Sequence, residues 1–586
     1  MIEPMKKVTL LISAGEKTPA LKKLRKLGVL HIKHSQPPVS EDVDAIKNRI
    51  TASKKALNFL KTEAPGKQKK LKNEAGDLVN EIVDLDKKMA ETEAALEEAR
   101  TRRAFLKQWG DPSASSLRLL AEKGLHVWLF QADKKTVKKL PDEKMIKVLH
   151  EDSAVYLVQF AESEEDKLDL KEIRLPDIEA GDIDKEIRYL NSEKQKMIKL
   201  KNGYRAYTDA ITGILADLQK QLELGFVAAG MGMEDPFAYV QGFCPENRIN
   251  DLKNESAASG WGIILEDPEN PLEVPTLLKN KKISRIIEPL FQFMGTLPGY
   301  HEIDVSFVFL LFFSLFYAMI IGDAGYGVVF LLATAYLRSK NRRAPFEPFA
   351  LFYVLSVTTI IWGLLTGTWF GSRAIAAWPP LNRFIIEPMF SFNESREATL
   401  FMMRFSFMLG LLHLTVAHFI AFLKKLPGLK AVAELGWILI CSAMFFVVDL
   451  LVLSKPFPRF AMVLFVAGVS MVGLFTNFQK NPIKMLGSFL GTVANSIQDI
   501  ISAFSDIVSY IRLFAVGLAG VTVAASFNDM ASGVFAPVVL ILGHGLNIVL
   551  GMMSVMVHGV RLNMLEFSGH MGQEWTGMPY EPFKES

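Results

Sequence analysis

Two arginines stand inside long apolar stretches of this sequence. Arg512 lies in the segment IVSYIRLFAVGLAG, and Arg561 lies in MMSVMVHGVRLNML near the end of the last apolar stretch. A guanidinium stays charged in proteins, and its burial in a lipid bilayer costs from about 3 to more than 10 kcal/mol. A permanent charge there needs a partner, and the chain offers few acidic residues expected at the same depth on a facing surface. The arginines therefore predict charge chemistry within a membrane, of the kind that moves a small cation.

Other polar side chains recur at helical spacing along the same two stretches. At about 100° per residue, one face of the first stretch carries Gln498, Ser505, Ser509 and Arg512, and the adjoining face carries Asn495, Asp499, Ser502 and Asp506. One face of the last stretch carries His544, Asn547, Ser554, His558 and Arg561. Such stripes indicate water-filled paths for an ion, although polar groups that satisfy one another inside a helix bundle would give the same spacing.

The elements that must position these residues are apolar runs of membrane-spanning length in the second half of the chain. They lie at about 305–321, 324–337, 349–370, 400–423, 431–453, 459–477, 487–526 and 534–566. The first two could form one long helix. If these two runs are separate helices, the loops on the same side of the membrane as the first half contain nine Lys and Arg residues. The loops on the opposite side then contain five. This bias predicts eight transmembrane helices with both termini in the cytoplasm. About 20 residues suffice to cross a bilayer, so the last two helices are too long to stand upright and should tilt.

The first half, residues 1–300, has mixed charge and short apolar runs, which predict a soluble cytosolic domain without a signal peptide. Apolar positions follow heptad-like spacing in two arms, about 42–108, including Leu71 to Ala99, and 182–224. The arms are predicted to pair as an antiparallel coiled coil, although a generic dimerisation coil is an alternative. Strand-like runs predict a distal α/β lobe at about 110–180 and a proximal α/β lobe from 1–40 and 225–300. The predicted fold class is therefore an α-helical polytopic membrane domain, residues 301–586, plus cytosolic α/β lobes joined by the coiled coil.

Composition excludes several classes of function. A net charge of +3 spread over 586 residues gives no reason to expect a nucleic-acid partner. The two cysteines, Cys244 and Cys441, lie one in each half, so neither a disulfide framework nor a thiolate metal site is expected. No motif calls for a cofactor or a catalytic residue. His413 and His418 in the fourth apolar run are predicted to be hydrogen-bonded packing residues rather than proton relays.

Several motifs resemble the a subunit, called subunit I in prokaryotes, of the vacuolar and archaeal-type rotary ATPases. The resemblance covers the whole chain and is closest to the prokaryotic branch. Its most specific motifs are GDAGYG at Gly322, SYIRLFAVGLAG at Ser509, GHGLN at Gly543 and VHGVRLNMLEF at Val557. The sequence departs from the family pattern at Tyr326, where many members have histidine, and at Asn563 and Met564, which replace the usual histidine and tryptophan.

The resemblance implies a non-hydrolytic stator subunit in a cell membrane. A ring of c subunits would turn against the chain, and Arg512, assisted by Arg561, would face the carboxylate of each passing c subunit. The counter-charge would then be in another protein. Two half-channels would be lined by Gln498, Asp499, Asp506, Ser509, His544, Asn547, His558 and Glu566. The cytosolic domain would anchor the peripheral-stalk E/G subunits and contact a central-stalk subunit.

A competing hypothesis is a self-contained secondary transporter with a cytosolic regulatory coiled coil. Inverted repeats and an internal acidic coupling site would favour it, and the sequence contains no convincing repeat. The residues leave open whether the ion is H⁺ or Na⁺, since the ring would select it. They also leave open whether the complex pumps or makes ATP, and how many peripheral stalks it has.

Overall fold

The computed structural model describes residues 2–61, 75–137, 146–151, 155–163, 166–173, 175 and 178–585. Leu71, the first position of the predicted heptad pattern, lies outside these residues, as do parts of the predicted distal lobe. The strands within the described residues are β1 (Met5–Ser13), β2 (His31–Lys33), β3 (His126–Ala132), β4 (Ile146–Glu151), β5 (Val155–Ala161), β6 (Gly232–Glu234), β7 (Phe237–Pro245), β8 (Gly262–Glu266), β9 (Pro275–Thr276) and β10 (Met578–Pro579).

The helices fall into two groups along the chain. Those of the first half are α1 (Lys17–Leu27), α2 (Glu41–Leu60), α3 (Ala75–Gln108), α4 (Ala114–Glu122), α5 (Lys134–Val137), α6 (Ala180–Tyr204), α7 (Thr208–Ala229), α8 (Ile249–Ser259) and α9 (Glu288–Met294). Those of the second half are α10 (Ser306–Ile321), α11 (Ala324–Lys340), α12 (Glu347–Thr366), α13 (Arg373–Ala376), α14 (Pro379–Asn382), α15 (Arg396–Lys425), α16 (Lys430–Leu453), α17 (Arg459–Phe475), α18 (Pro482–Ser509), α19 (Ile511–Met530), α20 (Ala536–Ser554) and α21 (Ser568–Met571).

The first half contains two antiparallel sheets and a set of long helices between them. One sheet has the order β2-β7-β1-β8, with β6 also paired to β7, and the other has the order β3-β5-β4. Helix α3 runs antiparallel to α6, because Glu93 pairs with Lys194 near one end and Arg102 pairs with Glu186 near the other. The α2 and α7 helices also pack together. A shared cluster at their ends, including Leu57, joins this pair to the start of α3.

In the second half, five helices of the described chain are long and apolar enough to cross a membrane, and up to six if one bent pair is a single span. The bent pair is α10 and α11, and the chain bends by 119° between them. Helix α17 is apolar but shorter. The last two candidates run for 49 residues from Pro482 to Met530 and 39 residues from Gly533 to Met571. Both are far longer than the roughly 20 residues that cross a bilayer.

Helix α10 lies at the centre of the membrane half. Its aromatic residues, including Phe309 and Phe316, pack in one cluster with Tyr510 and Leu513 at the α18–α19 junction. A glycine permits the close crossing of α10 and α19, since a Cβ on Gly517 would lie 2.4 Å from the Met319 carbonyl oxygen. Any larger residue at position 517 would force the two helices apart. The backbone that carries Arg512 is thus held against a buried helix.

The sharp turn between α10 and α11 depends on a glycine and an aspartate. Gly322 ends α10 with a left-handed backbone, φ +68°, which an L side chain would strain. The buried Asp323 side chain accepts backbone hydrogen bonds from Gly325 and Tyr326 of α11 and from Phe370 and Gly371 of the following loop, at 2.7–3.2 Å. One carboxylate therefore fixes the start of α11 and a distant loop together.

We expect Asp323→Asn to destabilise the membrane half. Oδ1 of Asp323 accepts hydrogen bonds from three of the amides, and Oδ2 accepts one from Gly371. In asparagine, an NH₂ group would replace Oδ2, and it could not accept the hydrogen bond from the Gly371 N–H. A buried donor without an acceptor costs about 1–3 kcal/mol. Thermal unfolding of the purified chain should show a lower midpoint for this variant than for Asp529→Asn, which changes an exposed residue. An unchanged midpoint would contradict the expectation.

The C-terminal tail returns to the sheet at the N-terminus. Strand β10 pairs in parallel with β9, the Tyr580 hydroxyl donates to the Val29 carbonyl oxygen at 2.6 Å, and the Phe583 N–H donates to the Leu30 carbonyl oxygen at 2.9 Å. Phe583 is buried in the core of the β1–β7 sheet. The C-terminal tail and the N-terminal sheet therefore lie together.

Candidate functional site

A break between α18 and α19 positions Arg512. The Leu513 N–H donates to the Tyr510 carbonyl oxygen at 3.1 Å, one residue short of the helical partner. This shift leaves the Ser509 carbonyl oxygen free, and Nε of Arg512 donates to it at 2.9 Å. Tyr510 is fully buried, and its hydroxyl lies 2.8 Å from Nδ1 of His413. The break is thus anchored on one side by Tyr510 and occupied on the other by the arginine.

Arg512 has an acidic partner in the same chain. Nη2 of Arg512 lies 3.0 Å from Oε1 of Glu566, whose side chain is only 4 % exposed. Nε of Arg561 lies 3.5 Å from the same oxygen, and the Ser509 hydroxyl lies 3.2 Å from it. The expectation that the counter-charge of Arg512 would be found only in another protein is therefore wrong. We refer to Ser509, Arg512, Arg561 and Glu566 as the arginine cluster.

The arginine cluster keeps one net positive charge, because two guanidinium groups share one carboxylate. All three neighbours of Glu566 approach Oε1, and its Oε2 is buried without a hydrogen-bond partner among the described residues. The Arg512 side chain is 24 % exposed and that of Arg561 is 53 % exposed. The cluster can therefore attract a further anion from outside the chain.

The winding of the last long helix changes around Arg561. Two π-helical segments, Val555–Gly559 and Leu562–Phe567, stand on either side of it. A π-helical turn contains an extra residue and is frequent at functional sites. The second segment carries Glu566, so the altered winding decides the direction in which this carboxylate faces. The first carries His558, whose Nδ1 is buried and has no hydrogen-bond partner among the described residues.

A chain of charged and imidazole side chains begins next to the arginine cluster. Oδ2 of Asp506 lies 2.9 Å from Nε2 of His570, and Nδ1 of His570 lies 3.0 Å from Nε2 of His418. Nδ1 of His418 lies 2.8 Å from Glu434, which also pairs with Lys425. His418 was predicted to be a hydrogen-bonded packing residue, and each of its ring nitrogens has a partner, Glu434 on one side and His570 on the other. His413 packs against Phe312 and Phe567 as expected of a packing residue.

This chain of side chains, from Lys425 to Asp506, lines a cavity of about 430 Å³. Asp499 and Ser502 of α18 lie on its wall, and Glu566 lies at the end next to the arginine cluster. A cavity of this size has room for several water molecules, and its wall offers them charged and polar partners. We refer to it as the Asp506 cavity. It extends from Lys425, at the end of α15, to Glu566, the partner of Arg512.

A second polar cluster lies toward the opposite ends of the two long helices. Nδ2 of Asn547 donates to the Tyr326 hydroxyl at 3.0 Å, and that hydroxyl lies 2.8 Å from Nδ1 of His544. Nε2 of His544 lies 3.2 Å from Oδ1 of Asn528. Asn547 also lines a cavity of about 100 Å³ together with Tyr326 and Gly520. We refer to these four residues, Tyr326, Asn528, His544 and Asn547, as the Tyr326 cluster.

The structure divides the residues that the sequence indicated into separate groups. Ser509, Arg512, Arg561 and Glu566 come together, Asp499 and Asp506 share the cavity, and His544 and Asn547 join Tyr326. Gln498 is exposed and lies apart from all three. Sequence reasoning missed Glu434 and His570. The only sequence signal for Glu434 was that an acidic residue lies near the start of an apolar helix. His570 gave no such signal, because it lies beyond the end of the last apolar run.

Comparison with known proteins gave full-length relatives, although no protein-family model matches the chain. It is 32 % identical over 622 residues to the V-type ATP synthase subunit I of Borreliella burgdorferi and 30 % identical over 621 residues to V-type ATP synthase subunit I 1 of Treponema pallidum. Both alignments cover 100 % of each chain. The A-type ATP synthase subunit I of Methanocaldococcus jannaschii is 24 % identical, over 69 % of this chain and 63 % of its own.

A crystal structure of the cytoplasmic N-terminal domain of subunit I, homolog of subunit a, of V-ATPase matches 44 % of the chain at 16 % identity. Its TM-score of 0.27 is too low to support an inference. The relatives from Borreliella burgdorferi and Treponema pallidum are sufficient, because each is similar to this chain from end to end. The chain belongs to the V/A-type ATP synthase subunit I family.

Proposed function

We propose that the chain is the non-hydrolytic stator subunit of a V/A-type rotary ATPase in a prokaryotic cell membrane. It would supply two half-channels for H⁺ or Na⁺ and hold the ATPase stalks. The observation that carries this proposal is the arginine cluster, which keeps a net positive charge between two separate polar regions. A structural tether would not need a charge at this depth, where burial is costly.

The two polar regions suit offset half-channels. Asp506 is six residues before Arg512, roughly 9 Å along the helix, and its cavity extends from there toward Lys425. Asn547 is 14 residues before Arg561 on the last long helix. This places it roughly 20 Å from the arginine cluster, on the side opposite to Asp506. An ion entering from one side would meet the positive charge before reaching the other region. Arg512 would therefore act as a barrier to direct leakage.

Eight membrane crossings fit this arrangement, with α10 and α11 as separate crossings and α17 as a short one. The tail from Met578 to Phe583 binds the same part of the first half as the N-terminal strand, which supports an even number of crossings. The positive-inside bias of the loops puts both termini in the cytoplasm. The Asp506 cavity, which ends near Lys425, would then face the cytoplasm, and the Tyr326 cluster would face outside.

A ring of c subunits would cover the two long helices. In the most apolar part of Gly533–Met571, only 11 % of the residues are buried within the chain, and in that part of Pro482–Met530 the share is 33 %. The corresponding share is 44–50 % for α12, α15 and α16. Large apolar side chains remain exposed on both helices, among them Ile501, Ile541 and Val549. An apolar surface at membrane depth suits a membrane partner, and Arg512 and Arg561 would face the carboxylates of that partner.

The first half would serve as the attachment for the stalks. Its antiparallel helices α3 and α6 would form a coiled-coil rod between the distal and proximal lobes, and a rod of about 25–34 residues spans roughly 40–50 Å. E/G subunits of the peripheral stalks would bind the rod and the distal lobe. A central-stalk subunit would contact the cytosolic domain. The torque of the ATP-hydrolysing head would then turn the ring and not this chain.

The proposal is tested by isolating the chain from its native membrane with and without its partners. We expect it to co-purify with a proteolipid ring, and we expect the chain alone in liposomes to carry no ion flux. Substantial, substrate-coupled flux through the purified chain alone would instead identify a self-contained secondary transporter. The Arg512 and Glu566 variants described in the Discussion then test the mechanism.

We expect Asp506→Ala to reduce ATP-driven ion pumping without loss of assembly. The change removes the carboxylate that links His570 to the Asp506 cavity, and a cavity with one fewer charge would hold water and ions less well. Asp506 is partly exposed, so folding should depend little on it. Pumping and subunit content of the purified complex should be compared with Asp529→Ala, an exposed aspartate at the far end of α19. Normal pumping in Asp506→Ala would make this residue a packing residue only.

A further inference from the structure

Three potential metal ligands from three different helices meet beside the Asp506 cavity. They are His418 of α15, Cys441 of α16 and His570 of α21, and one ligand atom of each lies within 4.8 Å of the others. His418 and Cys441 are buried and His570 is partly buried. Nitrogen and sulfur donors of this kind suit a borderline or soft metal ion such as Zn²⁺ far better than Mg²⁺ or Ca²⁺.

Each histidine is oriented by a carboxylate on its other ring nitrogen. Nδ1 of His418 faces Glu434 at 2.8 Å, and Nε2 of His570 faces Asp506 at 2.9 Å. A carboxylate accepts a hydrogen from the ring, so each of these nitrogens carries the N–H. The same arrangement of carboxylate and histidine supports the ligands of most protein zinc sites, because it fixes the tautomer and the direction of the free lone pair.

The lone pairs left on the two rings point at each other. Nε2 of His418 and Nδ1 of His570 are 3.0 Å apart, and neither carries a hydrogen when the outer nitrogens donate to Glu434 and Asp506. Two facing lone pairs repel unless a positively charged species lies between them. A proton shared between the two nitrogens, or a metal ion bound by both, removes this repulsion. Helices α15 and α21 thus present a preformed pair of donors.

The distances require only small movements. Metal–nitrogen bonds of about 2.0–2.1 Å and metal–sulfur bonds of about 2.3 Å place tetrahedral ligand atoms roughly 3.3–3.8 Å apart. The two nitrogens would separate by a few tenths of an ångström, and the sulfur would approach by about 1 Å from its present limit of 4.8 Å. The Asp506 cavity of about 430 Å³ gives a route of entry and room for a water molecule as the fourth ligand.

We propose that His418, Cys441 and His570 form a Zn²⁺-binding site beside the Asp506 cavity, whose wall includes the two histidines. Zn²⁺ binding would displace the thiol proton of Cys441 into the cavity water and leave one added net positive charge in the path toward Arg512, so Zn²⁺ would block ion pumping. The blocking effect rests on the proposed function, whereas the binding does not. The site was not expected from sequence, because its ligands are 23 and 129 residues apart and match no metal-binding spacing.

The test uses the full chain, freed of metal with a chelator and then given one equivalent of Zn²⁺. X-ray absorption at the zinc edge should show one sulfur at about 2.3 Å and nitrogen donors at about 2.0–2.1 Å. Cys441→Ala should lose the sulfur signal and bind Zn²⁺ at least about 10-fold more weakly, since even supporting residues of metal sites contribute that much. Cys441→Ser gives a second variant should the alanine variant fold poorly.

Cys244→Ala is the matched control, because Cys244 is the only other cysteine in the sequence. It lies in β7 of the first half and is not among the residues whose ligand atoms meet at His418 and His570, so it cannot complete this site. This variant should give the wild-type spectrum. A wild-type spectrum without sulfur, or a sulfur signal that persists in Cys441→Ala, would overturn the site.

Pumping by the intact complex is measured separately. Zn²⁺ should inhibit the wild type and Cys244→Ala reversibly, and a chelator should restore pumping. Cys441→Ala should pump normally in the presence of Zn²⁺, because Cys441 is not part of the proposed ion path. If the spectra are as expected but Zn²⁺ leaves wild-type pumping unchanged, the metal site stands and the cavity is not the ion path.

Discussion

Replacement of Arg512 by alanine is expected to abolish ion pumping that is coupled to ATP hydrolysis. The guanidinium is the partly exposed charge at the α18–α19 break, and its loss changes the net charge of the arginine cluster from positive to neutral. A passing carboxylate would then meet no attracting charge, and leakage between the half-channels would meet no barrier. Loss of a buried charge interaction of about 3 kcal/mol or more predicts a decrease in coupled pumping of at least about 100-fold.

The measurement compares ATP-driven ion uptake by reconstituted complexes with their rate of ATP hydrolysis. Arg512→Lys should also be strongly impaired, because a lysine has no planar fork that can bind Glu566 and the Ser509 carbonyl oxygen together. Arg396→Ala, which changes an exposed arginine at the start of α15, serves as the control and should behave as wild type. An Arg512→Ala complex that still couples hydrolysis to uptake would rule out the proposed role.

Arg512 could be found from sequence because a fixed charge inside an apolar stretch is conspicuous by itself. Its acidic partner, Glu566, could not be found in this way. Glu566 is 54 residues away, and an ideal α-helix does not show which way it faces, because the π-helical segments before and around it rotate the helix surface. The absence of a partner was therefore inferred from regular geometry that the last helix does not have.

The Asp506 cavity illustrates a second limit. Periodicity along one helix placed Asp499 and Asp506 on the same face, and both lie on the cavity wall. The cavity also depends on His418, Glu434 and His570 from three other elements. Helical spacing describes one helix at a time, so it contains no information about which helices become neighbours. The partners of His418, Glu434 and His570, could not be identified for this reason.

The larger architecture was easier to predict where it depends on local patterns. The switch from mixed charge to apolar runs near residue 300 and the unusual length of the last two helices are visible in the sequence, and α10 begins at Ser306. The return of the C-terminal tail to the N-terminal sheet is not visible. It is made by backbone hydrogen bonds of β10 and Phe583, which any short extended segment could form.

Glu566→Gln is expected to give the second largest loss of pumping, by about 10-fold. Glutamine keeps the size of the side chain and can still accept a hydrogen bond from Arg512. It removes the negative charge, so the arginine cluster changes from one net positive charge to two. The ring carboxylate would then be attracted more strongly and released more slowly, since both arginines lack their partner within the chain. Turnover should therefore fall while the complex still assembles.

A second charge change separates this electrostatic effect from simple loss of structure. Arg561→Gln combined with Glu566→Gln returns the cluster to one net positive charge with Arg512 intact, and should restore part of the lost pumping. Glu574→Gln, at an exposed glutamate eight residues further on, should be neutral. Pumping rates of the four complexes decide the matter. If the double variant pumps no better than Glu566→Gln, the carboxylate acts by holding Arg512 and Arg561 in place rather than by setting the charge that the ring encounters.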